Sequence, residues 1–127
     1  MPPSIVVVAT VDDDRRVRES VRSVLESAGY EAITFESAET FLFSGALSRV
    51  ACVIVDVRLP GMDGYEVAAA IRTLERTRRT PIIFMSAEDD RRTMIRDGAA
   101  ETYLRKPLEP DVLRPTLAHL LANRASP

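Results

Sequence analysis

Residues 52–64 read Cys52-Val53-Ile54-Val55-Asp56-Val57-Arg58-Leu59-Pro60-Gly61-Met62-Asp63-Gly64. A continuous apolar run ends in one acid and then in a loop stiffened by Pro60 and loosened by two glycines. Such a run is a strand buried on both faces, the signature of a parallel sheet with helices on each side. Similar runs lie on either side: Ile5–Val11, Ala32–Phe35, Ile82–Met85 and Thr102–Leu104. The second is shorter and more mixed, as an edge strand would be.

Helical spacing fills the intervals. Val17, Val21, Val24, Leu25 and Ala28 form one apolar stripe, and Gly29 follows as a stop. Ser37 can cap a short helix carrying Phe41 and Leu42. Val67, Ile71 and Leu74 repeat the spacing, as do Leu113, Leu117, Leu120 and Leu121. The stretch from Asp89 to Asp97 has room for a short helix with Met94 and Ile95 as its apolar part. Gly29, Gly45 and Gly98 fall at helix ends, and Gly61 and Gly64 in one loop. Pro110 fits a first helical turn, whereas Pro115 should kink or delay the last helix. Strict alternation of strand and helix predicts βαβ units.

The whole composition agrees. The 127 residues suit one domain, with 46% hydrophobic and 28% charged residues. Residues 5–122 are the expected ordered core of a single domain spanning 1–127. Cys52 is the only cysteine, which excludes an intramolecular disulfide and a cysteine metal cluster. It reads as a small core hydrophobe. A net charge of −2 gives no bulk drive toward nucleic acid. No apolar run approaches the roughly 18 residues of a membrane span. Met1-Pro2-Pro3-Ser4 offers no basic segment for a signal peptide, so the expected location is cytoplasmic.

Ligands in open parallel sheets bind beyond the carboxyl ends of the strands. There the first run ends in Asp12-Asp13-Asp14, the third in Asp56, the fourth in Ser86 and the fifth in Lys106-Pro107. Asp14 reads as a helix cap. Asp12, Asp13 and Asp56 drawn together would repel one another unless a cation intervened, and an all-oxygen donor set suits Mg²⁺. A rigid carboxylate beside that cation can act as a nucleophile toward phosphorus. Lys106 is the single lysine among 17 basic residues. A compact ammonium at a strand end suits a phosphoryl oxygen or a carboxylate. The X-Pro bond after it can be cis or trans. Acid, cation, hydroxyl and amine together make a phosphoryl-transfer site.

Four motifs in order resemble the receiver domain of two-component response regulators, the CheY-like superfamily. They are Val11-Asp12-Asp13-Asp14, residues 53–64, Pro81-Ile82-Ile83-Phe84-Met85-Ser86-Ala87 and Tyr103-Leu104-Arg105-Lys106-Pro107. The resemblance spans essentially the whole chain. It implies a three-layer flavodoxin-like (βα)5 domain with strand order 2-1-3-4-5. It implies a signalling switch in which Asp56 accepts a phosphoryl group from a sensor histidine kinase or phosphotransfer protein. Asp13, Asp56 and the backbone carbonyl of Arg58 would bind Mg²⁺, with Asp12 acting partly through water. Ser86 and Lys106 would contact the phosphoryl oxygens, and Tyr103 would turn inward as Ser86 moves. Arg58 and Glu88 would tune the lifetime of the acyl phosphate. Activity is expected to be limited to self-catalysed phosphotransfer and autodephosphorylation, with a phosphorylation-dependent homodimer as one output.

The segment from Ser86 to Gly98 is shorter than usual for the family by roughly one helical turn. The expectation is therefore a shortened fourth helix and a changed partner face. An aspartate-nucleophile phosphohydrolase would carry a second acid two residues past Asp56, where this chain has Arg58. A degenerate receiver that acts as a phosphorylation-independent interaction module is the other alternative, and the complete set Asp12, Asp13, Asp56, Ser86 and Lys106 speaks against it. His119 reads as a surface residue, residues 76–79 as a solvated basic loop, and Arg91-Arg92 as a weak acidic-partner contact. Fewer residues follow Leu121 than a helix-turn-helix needs, so no effector module is expected within this sequence.

Overall fold

Branched aliphatic runs too short for helices pair side by side and bury both faces. The computed structural model describes residues 5–87 and 102–124. In chain order these form β1 (Val7–Val11), α1 (Arg15–Ser27), β2 (Glu31–Phe35), α2 (Ala38–Phe43), a 3-10 turn (Ala46–Ser48), β3 (Cys52–Asp56), α3 (Gly64–Thr73), β4 (Ile82–Ser86), β5 (Thr102–Arg105) and α4 (Pro110–Arg124). The expected short helix after Ser86, with Glu88, Arg91, Arg92, Met94, Ile95 and Gly98, lies outside the described residues.

The sheet has the order β2-β1-β3-β4-β5, and every neighbouring pair is parallel. The flavodoxin-like topology expected from the sequence is the one observed. The central strands β1, β3 and β4 are buried along their whole length. Alternate residues feed two cores. On one face Val11, Val55 and Phe84 pack with Phe41 of α2 and with Val67 and Ile71 of α3. On the other, Val8, Ile54 and Met85 pack with Val21 and Leu25 of α1 and with Leu113 and Leu117 of α4. Burying each such side chain contributes about 1.5–3 kcal/mol. Cys52 is among them and fully buried, as its reading as a small core residue requires.

Local chemistry sets the helix ends. The Asp14 carboxylate accepts from the Arg16 amide at 2.8 Å, and Ser37 Oγ accepts from the Thr40 amide at 3.0 Å. Gly29 follows α1 with φ of +93°, a conformation that favours glycine. A reciprocal capping box opens α3: Asp63 accepts from the Glu66 amide and Glu66 from the Asp63 amide, each at 2.9 Å.

Three details depart from the sequence reading. The third helix stops at Thr73, so Leu74 adopts extended backbone and is left 46% exposed rather than completing the apolar stripe. Within the loop that follows, Thr77 is buried and its hydroxyl donates to the Ile71 carbonyl at 2.8 Å. Gly64 belongs to the first turn of α3, not to the loop. Finally, α4 starts at Pro110 and continues through Pro115, which neither delays nor ends it. The Glu109 carbonyl collects the Val112 and Leu113 amides at 3.0 and 2.8 Å and fixes the start of that helix.

Candidate phosphoryl-transfer site

Parallel register brings the strand ends level. Val11 lies opposite Val55, Asp56 opposite Met85, and Ser86 opposite Arg105. The ladder also extends beyond the strands. The Asp12 amide donates to the Phe35 carbonyl at 3.0 Å, the Val57 amide to Met85 at 3.0 Å and the Lys106 amide to Ser86 at 2.9 Å. Asp12, Asp56, Ser86 and Lys106 are therefore held on one rim by backbone hydrogen bonds rather than by flexible loops.

Side chains converge from there. Lys106 Nζ lies 2.8 Å from Asp12 Oδ2 and 2.5 Å from Asp56 Oδ2. The Lys106–Pro107 bond is cis. Each acid is fixed by a second contact: Asp12 Oδ1 accepts from the Asp14 amide at 2.8 Å, and Asp56 Oδ1 from the Arg58 amide at 2.9 Å. Arg18 of α1 donates to the Asp12 carbonyl at 2.8 Å. Asp12 is fully buried, Asp56 is 6% exposed, and Asp13 faces solvent. A carboxylate oxygen from each of the three lies within 4.8 Å of the others.

The electrostatics follow from burial and partners. Burial pushes the Asp12 carboxyl above its usual range. The Lys106 ammonium and the Asp14 amide pull it back only in part, and the charge of Asp56 pushes it further up. Burial alone would lower the Lys106 ammonium. Its contacts with Asp12 and Asp56 outweigh that and hold it above the ordinary lysine value. The two carboxylates thus share one cation, and negative charge remains in excess.

That excess is what a cation site requires. Asp12 Oδ2 is buried and, although close to Lys106, has no aligned hydrogen-bond donor among the described residues. Three carboxylate donors, one of them with a buried, under-satisfied oxygen, fit a hard divalent ion better than a second amine.

Ser86 is 3% exposed at the end of β4. Tyr103 is half-buried on β5, directly opposite Phe84 in the register. Arg58 is exposed beside Asp56. His119 is exposed on α4, and Arg76, Arg78 and Arg79 are exposed around the buried Thr77. The structure thus brings together Asp12, Asp13, Asp56 and Lys106, and lines up Ser86 on the same rim.

Sequence reasoning missed two neighbours. A Cβ on Gly64 would lie 2.4 Å from the Asp56 carbonyl oxygen, so α3 is pressed directly against the central acid. Tyr65, the next residue, joins its hydroxyl to that of Tyr103. The four-residue pattern Asp63-Gly64-Tyr65-Glu66 is a capping-box signature and marks the helix start. Nothing in it signals the tyrosine pair.

Known proteins give the same picture. Residues 8–118 match the family model described as response regulator receiver domain. The response regulator protein FleR of Pseudomonas aeruginosa is 39% identical over 105 residues, 80% of this chain and 22% of its own length. The transcriptional regulatory protein TdiR of Thauera aromatica is 36% identical over 92% of this chain and 52% of its length. The chain therefore spans about half or less of these relatives. Among solved structures, Vibrio cholerae chemotaxis protein CheY4 superposes with a TM-score of 0.83 at 29% identity, covering 92% of this chain and 99% of that one. The BeF3-activated DrrB receiver domain gives 0.82 at 26% identity, covering 94% and 99%. With that sheet order, that rim of acids and lysine, and a family match across most of its length, the chain belongs to the response regulator receiver domains of two-component signalling.

Proposed function

We propose that the chain is a phosphoacceptor switch whose acceptor is Asp56. The observation that carries this reading is the contact of one ammonium, Lys106 Nζ, with the carboxylates of both Asp12 and Asp56 beside Asp13. The phosphoryl donor is a phosphohistidine of a sensor histidine kinase or phosphotransfer protein. An Asp56 carboxylate oxygen attacks phosphorus, the phosphorus–nitrogen bond breaks, and the histidine nitrogen leaves and takes up a proton. Lys106 offsets charge on one phosphoryl oxygen and the Ser86 hydroxyl donates to another. In a separate dephosphorylation step, water attacks the phosphorus of the acyl phosphate. The bond to Asp56 breaks, phosphate departs and the carboxylate is restored.

Asp12, Asp13, Asp56 and the Arg58 carbonyl are the donors that would hold Mg²⁺. When bound, it neutralises the crowded acids and the equatorial phosphoryl charge. Arg58, two residues past Asp56, and Glu88, two residues past Ser86, tune the lifetime of the acyl phosphate. Tyr103 moves as Ser86 is drawn toward the phosphoryl group, and the surface around β5 changes its partner, a second copy of the chain being one candidate. The output is protein contact rather than direct nucleic-acid binding by this domain, in the cytoplasm. Among the described residues no helix is long and apolar enough to cross a membrane.

The deciding experiment is phosphorylation by acetyl phosphate with Mg²⁺, read by intact mass. The parent is expected to gain one phosphate. Asp56→Asn, or the parent with EDTA, is expected to gain none. A folded parent that gains nothing overturns this reading in favour of a phosphorylation-independent interaction module.

A further inference from the structure

Three aromatic rings meet on the face of the sheet that carries α2 and α3. Phe84 of β4 is buried to 1%. Tyr103 of β5 packs on it with ring centroids 5.1 Å apart, and Tyr65 of α3 packs on it at 5.2 Å. Their own centroids are 6.4 Å apart, and the two hydroxyls are hydrogen-bonded. Phe84 has no polar group, so it holds both tyrosines by area alone. The phenol–phenol bond adds a directional hold on the Tyr103 ring.

Tyr65 is also poorly placed to yield. Gly64 just before it abuts the Asp56 carbonyl, and the Gly64 amide donates to the Val57 carbonyl at 3.2 Å. The Asp63–Glu66 capping box locks the same turn. Tyr65 therefore moves with the backbone that follows the acceptor, while Tyr103 moves with the strand that delivers Lys106. The bond joins the two halves of the rim at a distance from the reacting atoms.

We infer that Tyr65 is a positioning residue that latches Tyr103 against Phe84 through its hydroxyl, so that switching must release this latch. The inference rests on the reading of Tyr103 as the switch residue. Removing only the Tyr65 hydroxyl keeps the ring packing and weakens the hold on Tyr103 against Phe84. One neutral hydrogen bond of this kind shifts an equilibrium about fivefold.

The test uses the full chain labelled with 3-fluorotyrosine. Its three tyrosines are Tyr30, Tyr65 and Tyr103, each assigned by replacement with Phe. A soluble paramagnetic chelate reports the solvent exposure of each fluorine. In Tyr65→Phe, the relaxation of Tyr103 is expected to rise several-fold over the parent with no phosphoryl donor present, while Tyr30 stays unchanged. Stability supplies a second readout. Tyr65→Phe, Tyr103→Phe and the double variant should be non-additive by about fivefold in the unfolding constant. Unchanged Tyr103 exposure, or additive stabilities, overturns the latch. Because the exposure comparison uses no phosphoryl donor, a parent that fails to gain phosphate would sink the phosphoacceptor reading without deciding this one.

Discussion

Val55 and Asp56 are neighbours in β3, and both are buried, at 0% and 6% exposure. Their burial has opposite energetic sign. Val55 belongs to an apolar core shared with Val11 and Phe84, where removal from water is the main stabilising force. Asp56, with Asp12, removes charge from water and recovers it only through one ammonium and a few amides. The same contrast runs from Val8 of β1 to Asp12 just past the end of that strand. The body of the sheet supplies stability, and its carboxyl rim gives some of it up to hold groups in a reactive arrangement.

The contrast can be broken first in the body. Phe84→Ala removes a buried ring that two tyrosines pack against, and should cost about 3–5 kcal/mol in urea unfolding. At the rim, Lys106→Met should cost less, about 2 kcal/mol. Removing one partner of a buried ion pair costs 3–5 kcal/mol, discounted here because the Lys106 side chain keeps 19% exposure. The same variant should lose phosphate gain in the mass assay. A cost for Lys106→Met larger than for Phe84→Ala would reverse the assignment of stability to the body.

The sharper prediction has the opposite sign. Asp12→Asn replaces a buried, crowded carboxylate, and should stabilise the metal-free protein by about 1 kcal/mol at pH 7. Added Mg²⁺ should then reverse the order. A ligand at ten times its dissociation constant adds about 1.4 kcal/mol to the form that binds it. The parent should melt higher with Mg²⁺, while Asp12→Asn should respond weakly. Equal Mg²⁺ shifts in the two proteins would show that Asp12 takes no part in cation binding.

The two regions were also unequally legible in the sequence. Continuous Val and Ile runs mark β1, β3 and β4 because strands buried on both faces need no alternation. Edges were blurred for a physical reason. Ile5 is 72% exposed and falls outside β1, whereas Glu31 joins β2 because its amide can donate to the Val6 carbonyl at 2.9 Å. Backbone pairing there overrides the side chain. On the rim, Asp12, Asp13, Asp56, Ser86 and Lys106 were legible as residues at strand ends. That Asp12 would be buried and Asp13 exposed was not, since it depends on which way two adjacent side chains leave the strand. The close approach of Gly64 to Asp56 and the Tyr65–Tyr103 bond are contacts between distant segments, for which no local pattern exists.

The smallest effect lies in the pH dependence, and it too separates rim from body. Asp12 has a folded-state value above the ordinary 3.8, so the fold favours its protonated form. The stability this lends is fully present below the unfolded value and is lost as pH rises through the folded one. Lys106 is also held above its ordinary value of 10.5. Its contribution is fully present below the unfolded value and is lost as pH rises through the folded one. Both groups therefore slope the same way in different windows, one acidic and one strongly alkaline. Lys106→Met removes the alkaline window and, by withdrawing the ammonium, also pushes the Asp12 carboxyl further up in the acidic one. The stability difference between parent and variant should be flat from pH 7 to 9 and shrink above about pH 10.4, by less than about 1 kcal/mol for a partly exposed pair. Urea midpoints measured from pH 7 to 11.5 check this. Parallel curves throughout would mean that the contacts of Lys106 with Asp12 and Asp56 position the ammonium without stabilising the fold. The charges on the rim would then be held in place entirely by the apolar sheet beneath them.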